Sequence, residues 1–387
     1  MNSMQQRYGA AVDVTLVAFF VLLISLPLVL QLFLGEEKAI QEEQRNLRQM
    51  PSLRLDTWTA KEFPRLFEGY YTDHFRLRRS MVRAHHLVKM RLFHDSPSEA
   101  VILGKNDWLF YDGRFRNDGD PVADYRGTSP LAEDQCLQWR AVVQARASWL
   151  EPRGSLYLFV VAPNKETIYP EHMPDRFRPL SANSPMNQLT GYAGGIGNLG
   201  FCDLRRVLKE AAGRHQVYAM TDTHWNSYGA FVAYDAIMRT VSGRFPTAMG
   251  RPADDFAVSH GQQRGGDLAG LLALSDRLVE PSAPVFRPRF ARRATLVPGP
   301  AAGDREWVVD DPALPTAVVF HDSFGNALTP FLVTHFRRIV FRVGGGEFDK
   351  DLIEKVKPQF VMTILSERSL RVLCAPSSPP ATGPSVP

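Results

Sequence analysis

The chain has 387 residues, of which 44% are hydrophobic and 22% are charged. This composition is that of an ordinary globular protein with a buried core, and it excludes a disordered or collagen-like chain. A net charge of +4 is too small to indicate nucleic-acid binding. The three cysteines are neither even in number nor paired in spacing, so neither a disulfide framework nor a zinc site organises the fold.

An uncharged apolar stretch lies near the amino terminus. Residues 14–34 contain no charged side chain, and a helix of this length crosses the roughly 30 Å hydrocarbon layer of a bilayer. The stretch is longer than the apolar part of a signal peptide, so it predicts an uncleaved membrane anchor. A removed signal peptide and a long buried helix are the alternatives. Since Arg7 precedes the stretch and glutamates follow it, residues 1–13 are expected in the cytoplasm and the rest of the chain outside the membrane.

Composition divides the rest of the chain into a neck, a globular domain and a tail. Residues 35–95 are predicted to form a helical neck and a pre-domain segment. The globular domain is predicted at 96–375, with an insertion rich in Pro, Gly and Arg at about 243–306. The proline-rich residues 376–387 predict a disordered tail. In the pre-domain segment, one apolar helix face is formed by Leu77, Met81, Ala84, Val88 and Leu92.

The globular domain alternates short apolar runs with helical periods. Its first residues predict a β-hairpin, because two apolar runs flank the turn-forming residues 104–107. Runs that are apolar throughout predict parallel strands buried on both faces. These runs lie at 156–162, 216–220, 316–320, 338–343 and 359–364. The predicted helices lie near 131–151, 203–213, 226–242, 326–335 and 348–356. This alternation predicts a three-layer α/β/α domain with a mostly parallel sheet.

Two polar segments each follow a predicted strand, at the sheet edge where open α/β folds bind ligands. In the first, Asp222 and His224 project to the same side of an extended segment, so the carboxylate can hold one ring nitrogen while the other acts as a base. In the second, Ser323 leaves a strand and enters a helix, where backbone N–H groups stabilise negative charge on a reacting oxygen. A serine needs an adjacent base to become a nucleophile, and the two segments together supply nucleophile, base and orienting acid.

Each of these residues also has a structural explanation. Ser323 or Asp322 is suited to cap the following helix, and Asn226 to cap the helix after His224. His224 is alternatively a hydrogen-bonded core histidine or, with Asp222, a metal ligand. No third ligand at metal-like spacing is visible in the sequence.

Six segments of the chain carry a resemblance to a known family, and two of them contain Asp222, His224 and Ser323. They are GKNDWLFYDG at 104–113, APNKETIYPEHMP at 162–174, TDTHWNSYGA at 221–230, GGDLAGLL at 265–272, HDSFGNALTPFL at 321–332 and KPQFVMTILSERSL at 357–370. Together with YYTDHFRLRRSM at 70–81, they resemble the alginate O-acetyltransferase family, the AlgJ/AlgX-like group of SGNH-hydrolase-like proteins. The resemblance spans roughly residues 57–371.

This resemblance implies an SGNH-type α/β fold in the periplasm and acetyl transfer onto hydroxyls of an exported polysaccharide, alginate or another. The family's Asp-Thr-His-Trp motif assigns the acid to Asp222 and the base to His224, and its Asp-Ser-Phe motif assigns the nucleophile to Ser323. The chemistry requires no metal or organic cofactor. The family also implies a multi-spanning inner-membrane acyltransferase as acetyl donor, within a polysaccharide synthase or export complex.

The sequence departs from ordinary SGNH hydrolases, in which the serine precedes an Asp-x-x-His pair. Here the order is reversed and the spacing is Asp-x-His, as in the acetyltransferase branch. The oxyanion-stabilising residues therefore cannot be assigned by order. Asn164 and Lys165, after the first predicted strand, are candidates for oxyanion or substrate contact, with a turn-forming role as the alternative.

Two other functions fit the same sequence. A periplasmic carbohydrate acetylesterase would use the same three residues with water as acceptor, since acceptor choice depends on how the site orients sugar and excludes water. A non-catalytic scaffold of a polysaccharide secretion complex would use none of them.

Overall fold

In the computed structural model, the chain forms two units. The first comprises Met1–Pro97 with Gly270–Leu274, and the second comprises Ser98–Ala269 with Ser275–Pro387. The residues that the structure describes are 13–26, 29, 48–52, 57–75, 77–116, 119–280, 284–289 and 292–374.

The first unit is helical over most of its described residues. Residues 13–26 form a helix, followed along the chain by α1 (Thr57–His74) and α2 (Arg78–Leu92). Helix α2 confirms the helical period predicted across the pre-domain segment. Part of the predicted anchor at 14–34, most of the charged neck after it and the predicted tail at 376–387 lie outside the described residues. Within the described residues, no helix combines the length and apolar character needed to cross a membrane.

The second unit alternates helices and strands, beginning with a hairpin. Its strands are β1 (Val101–Leu103), β2 (Leu109–Tyr111), β3 (Leu156–Ala162), β4 (Leu199–Asp203), β5 (Phe256–Ser259), β6 (Gln263–Arg264), β7 (Val279–Glu280), β8 (Val285–Pro288), β9 (Thr295–Pro298), β10 (Arg305–Val308), β11 (Thr316–His321), β12 (Arg338–Val343) and β13 (Phe360–Ser366). The helices after α2 are α3 (Pro121–Arg126), α4 (Glu133–Leu150), α5 (Lys165–Ile168), α6 (Pro185–Ala193), α7 (Arg205–Ala212), α8 (Ser227–Arg244), α9 (Asp267–Leu271), α10 (Thr329–Leu332) and α11 (Lys350–Val356).

A seven-stranded sheet forms the centre of this unit. Its strand order is β4, β3, β13, β11, β12, β10, β9, and the first five strands are parallel. Strands β10 and β9 continue the sheet as antiparallel strands at one edge. The predicted strands at 156–162 and 338–343 are confirmed, and those at 316–320 and 359–364 are confirmed with small changes at their ends.

The parallel strands are apolar because helices cover both faces of the sheet. Along β3, Leu158 and Val160 belong to one buried apolar cluster, whereas Tyr157 and Phe159 belong to a second. Helix α8 contributes to the first cluster, and α4 and α6 contribute to the second. Each fully buried side chain of this size contributes roughly 1.5–3 kcal/mol to folding. The predicted three-layer arrangement is therefore the one observed.

The predicted hairpin is also confirmed. Strands β1 and β2 are antiparallel, with Val101 opposite Tyr111 and Leu103 opposite Leu109. The turn has Asn106 at a φ of 56° and Asp107 at a φ of 63°, a left-handed conformation that Asn and Asp tolerate better than most residues. The hairpin also contacts the segment before Asp222, because the Leu109 N–H donates to the carbonyl of Met220 at 2.9 Å.

The prediction of a strand at 216–220 is wrong. This segment makes only an isolated bridge between Tyr218 and Trp225, because the chain folds back on itself. The Asn226 N–H donates to the Val217 carbonyl at 2.9 Å, so the segment uses its backbone groups locally instead of pairing with a neighbouring strand. The fifth parallel strand is instead β4, which the sequence did not reveal, since its residues are only half-buried and include a glycine and an aspartate.

The segment expected as an insertion, 243–306, contains several short strands. Strand β5 pairs with β8, and β6 pairs with β7, as two separate antiparallel ribbons. The last part of the segment belongs to the edge of the central sheet through β9 and β10. The β6–β7 ribbon lies beside the polar segment that contains Asp222 and His224.

Candidate active site

The structure brings Asp222, His224 and Ser323 into one chain of hydrogen bonds. The Nδ1 of His224 lies 2.7 Å from Oδ1 of Asp222, and its Nε2 lies 2.7 Å from Oγ of Ser323. An ionised carboxylate only accepts hydrogen bonds, so Asp222 selects the tautomer with a proton on Nδ1. The Nε2 atom is then left to accept the Ser323 hydroxyl proton.

Ser323 is positioned by the end of β11. Asp322 follows the strand, and Ser323 begins a 3₁₀ turn that extends over Ser323–Leu328. The Asp322 carboxylate accepts the Phe324 N–H at 3.0 Å and the Ser366 N–H at 2.6 Å, which ties the turn to the end of β13. Asp322 therefore acts as the cap, and the Ser323 hydroxyl contacts His224.

Glycine is required two residues after the serine. A Cβ atom on Gly325 would lie 2.5 Å from three atoms of the His321 side chain, at the end of β11. The tight turn that presents Ser323 therefore depends on the absence of a side chain at position 325.

The Asp222 carboxylate is held ionised. Burial pushes its pKa upward, but the side-chain hydrogen bond and charge of His224, together with N–H donors from His224 and Asp267, outweigh burial and lower the pKa to about 2. Asp222 therefore carries a negative charge at neutral pH, and this charge stabilises a proton taken up by His224.

Lys165 supports the Asp222–His224 segment through its backbone carbonyls. The buried ammonium donates to the carbonyls of Ala219 at 3.1 Å, Met220 at 3.1 Å and Asp222 at 2.6 Å. Burial lowers the pKa of Lys165 to about 8, against the opposing effect of Asp222 and other nearby carboxylates. Its three N–H bonds replace the strand partner that this segment lacks. Lys165 therefore has a clear role in positioning the segment.

Asn164, the other oxyanion candidate, is also buried among protein groups. Its backbone N–H donates to Oε2 of Glu367 at 2.9 Å, and its side-chain oxygen accepts the Arg368 N–H at 3.3 Å. Asn164 immediately precedes α5, so these contacts fasten the start of that helix to the end of β13.

Glu280 holds the same segment through its N–H groups. The buried carboxylate accepts the Met220 N–H at 2.9 Å and the Thr221 N–H at 2.6 Å, and it also accepts the Thr221 hydroxyl. Because buried backbone groups need partners, a segment outside the sheet requires such side chains. No sequence pattern indicated Glu280, which lies on the two-residue strand β7.

Asp267 is a further carboxylate at the site. It accepts the Thr223 N–H at 2.7 Å and the Thr223 hydroxyl at 2.5 Å, and its own N–H donates to Oδ2 of Asp222 at 3.0 Å. The preceding Gly266 permits this approach, because a Cβ there would lie 2.3 Å from the Asp222 carboxylate. The motif GGDLAGLL was the available signal for Asp267, although it did not indicate a site residue.

Asp222, His224 and Asp267 together have the composition of a small metal site. One potential ligand atom from each lies within 4.8 Å of the others, so Asp267 is the third residue that sequence spacing did not reveal. These atoms already have hydrogen-bond partners, since Asp222 binds His224 Nδ1 and Asp267 Oδ2 binds the Thr223 hydroxyl. The hydrogen bonds of Asp222 to His224 and of Asp267 to Thr223 thus account for the cluster.

A polar cavity adjoins Asp222 and His224. It has a volume of about 330 Å³, and its other lining residues include Arg264 and Glu280. Elsewhere around the imidazole, the centroid of the Phe324 ring lies 4.9 Å from that of His224. The site therefore combines an aromatic contact, which restrains the imidazole, with a polar space large enough for part of a hydrophilic ligand.

Fold and site together define an α/β domain with a serine, a histidine and an aspartate at one edge of its sheet. The family model described as "SGNH hydrolase-like domain, acetyltransferase AlgX" matches residues 101–353. This match covers more than half of the chain, and the protein belongs to that family. The predicted resemblance to AlgJ/AlgX-like proteins is confirmed.

Curated relatives agree with this family, and a solved structure shares the fold. Two relatives described as "Probable alginate O-acetylase AlgJ" come from Pseudomonas putida, 29% identical over 256 residues, and Pseudomonas aeruginosa, 28% identical over 254 residues. The alignments cover 65% and 63% of this chain, but only 62% and 59% of the relatives' own lengths. The structure of Bacillus cereus PatB1 has a similar fold, with a TM-score of 0.54 and 15% identity over 70% of this chain and 96% of that chain.

The contacts of Lys165 predict a large stability effect. Replacing Lys165 by Met removes the donor for three carbonyls and leaves buried carboxylates without their cation, so we expect a loss of about 3–5 kcal/mol in the free energy of unfolding. Denaturant titration measures this loss. The matched control is Lys209→Met, which changes an exposed lysine on α7 and is expected to cost less than about 0.5 kcal/mol. Equal unfolding midpoints for the two variants would show that Lys165 does not support the segment.

Proposed function

We propose that the protein is an O-acetyltransferase that moves an acetyl group through Ser323 onto hydroxyl groups of an exported polysaccharide. The observation that carries the proposal is the hydrogen-bond chain from Asp222 through His224 to Ser323, with 2.7 Å at each contact of the imidazole. Membership of the acetyltransferase AlgX family supports the same reaction class.

In the first half-reaction, the serine takes the acetyl group from a donor. His224 Nε2 accepts the proton of the Ser323 hydroxyl while Oγ attacks the acetyl carbonyl carbon. Asp222 stabilises the resulting imidazolium. When the tetrahedral intermediate collapses, the bond to the donor's leaving oxygen breaks, and that oxygen takes the proton from His224. The products are an acetyl ester on Ser323 and the free donor alcohol.

In the second half-reaction, a sugar hydroxyl takes the place of the donor alcohol. His224 Nε2 accepts the hydroxyl proton, the sugar oxygen attacks the acetyl carbon, and Ser323 leaves with the proton returned by His224. In both steps the Ser323 N–H is available to the developing oxyanion, because the first N–H groups of a helical turn have no acceptor within that turn.

The proposed setting is the periplasmic side of the inner membrane. The uncharged residues 14–34 support a membrane anchor, with residues 1–13 in the cytoplasm. A multi-spanning membrane acyltransferase supplies the acetyl group, because the cytoplasmic acetyl donor does not reach this compartment, and a polysaccharide synthase or export complex supplies the acceptor. Alginate is the acceptor named in the descriptions of the relatives, and for this chain it is part of the proposal.

The activity is tested with the 387-residue chain, an acetyl ester donor and oligosaccharide acceptors. We expect acetylated sugar from the wild type, and a decrease of about 10³-fold or more in Ser323→Ala, since the nucleophile is lost. The matched control is Ser242→Ala on α8, whose hydroxyl donates to the Arg239 carbonyl of the same helix and whose loss should leave the rate unchanged.

The same assay separates the two rival functions. Release of acetate at a rate that added sugar does not change, with no acetylated sugar, would identify an esterase. In cells, unchanged acetylation of the exported polymer in the Ser323→Ala strain would contradict a catalytic role and favour a scaffold.

A further inference from the structure

Two carboxylates face the same nitrogen of the candidate base. Asp222 Oδ1 lies 2.7 Å from His224 Nδ1, and Asp267 Oδ2 lies 3.6 Å from the same atom. The hydroxyl of Thr223 contacts both groups, 3.2 Å from Nδ1 and 2.5 Å from Asp267 Oδ2. A single carboxylate suffices to select the tautomer of the imidazole, so the tautomer alone does not explain Asp267.

The two carboxylates repel each other unless a positive charge lies beside them. Burial raises the pKa of Asp267, and the negative charge of Asp222 raises it further, while the hydrogen bonds from Thr223 and the charge of a protonated His224 lower it. When both carboxylates are ionised, the pair is better stabilised beside an imidazolium than beside a neutral imidazole. This difference favours the charged state that forms during proton transfer.

We infer that Asp267 is a positioning residue for His224, which fixes Thr223 beside the imidazole and places a second carboxylate 3.6 Å from its Nδ1. The inference rests on the proposed function, because it assigns Asp267 to the same reaction. The inference adds a second carboxylate to the arrangement of aspartate, histidine and serine. This carboxylate belongs to Asp267, the first residue of α9, which follows strand β6.

Other charged groups near His224 do not replace Asp267 in this role. Lys165 and Glu280 bind backbone groups of residues 219–222, and neither has a hydrogen bond or ion pair with the imidazole within the described part of the chain. Arg264 lines the cavity that His224 also lines, and its positive charge acts against an imidazolium. Asp222 and Asp267 thus both place a negative charge beside Nδ1 of His224.

The test is the pH dependence of acetyl transfer by Asp267→Asn. The amide keeps an oxygen for the Thr223 N–H but removes the negative charge that lies 3.6 Å from Nδ1. An imidazolium is then less well stabilised, and the acidic limb of the kcat/KM profile should move to lower pH by about one pH unit. We also expect kcat to fall about tenfold, because the imidazolium is less well stabilised.

Glu280→Gln is the matched control. Glu280 holds the same segment through Met220 and Thr221, so this change loosens the segment without removing a carboxylate from Nδ1. The rate of Glu280→Gln should fall with no shift of the acidic limb. An unshifted limb in Asp267→Asn, or equal shifts in both variants, would overturn the inference.

A second measurement does not depend on turnover. NMR titration of the His224 imidazole in the Ser323→Ala background, with the signal assigned by its loss in His224→Gln, should show the ring taking up its proton at lower pH when Asp267 is replaced by Asn. Identical titration curves with Asp and with Asn at position 267 would contradict the role of Asp267. If the titration shifts but the wild type transfers no acetyl group, the effect of Asp267 on His224 stands and the proposed function fails.

Discussion

The buried ammonium of Lys165 holds three carbonyls of the segment that presents Asp222 and His224. This segment is not a strand of the sheet, so it has no neighbouring strand to satisfy its polar groups. Lys165 binds its carbonyls and Glu280 binds its N–H groups, and both side chains belong to residues that are only 3% exposed. A buried lysine normally loses its charge readily, and here the surrounding carboxylates offset that tendency. The position of His224 therefore depends on charges that are themselves buried and mutually balanced.

Ser323 is positioned at the same site by a different set of contacts. It follows β11, one of the central parallel strands, and Asp322 connects its turn to the end of β13 through the Ser366 N–H. The serine is thus attached to the central sheet, whereas the histidine is held through side-chain contacts. Because each residue is held at the site by its own contacts, His224 Nε2 and Ser323 Oγ lie 2.7 Å apart although the two residues are 99 positions apart in the sequence. This arrangement also implies that substitutions around the histidine segment change the site geometry more readily than substitutions around the serine.

The sequence predicted most of the sheet, because strands covered on both faces are apolar throughout, as in β3, β11 and β13. The prediction missed β4, which is only half-buried, and misassigned 216–220, whose Val217 and Tyr218 pack in the core although the segment joins no sheet.

The residues of the candidate site also comprise some that the sequence predicted and some that it did not. Asp222, His224 and Ser323 were found because short motifs place reactive side chains directly after predicted strands. The supporting roles of Lys165, Glu280 and Asp267 were not found, because they arise from contacts between residues 44 to 60 positions apart. No local sequence pattern records contacts over such distances.

In the proposed reaction, Ser323 carries the acetyl group between donor and acceptor. The most direct test of this role is mass spectrometry of peptides from the 387-residue protein, quenched after brief exposure to an acetyl ester donor without sugar. We expect the mass of one acetyl group on the peptide containing Ser323, its removal when oligosaccharide is added, and no such adduct in His224→Gln, which lacks the base. Transfer of acetyl to sugar with the adduct on another residue, or with no adduct trapped on any peptide, would contradict this role of Ser323.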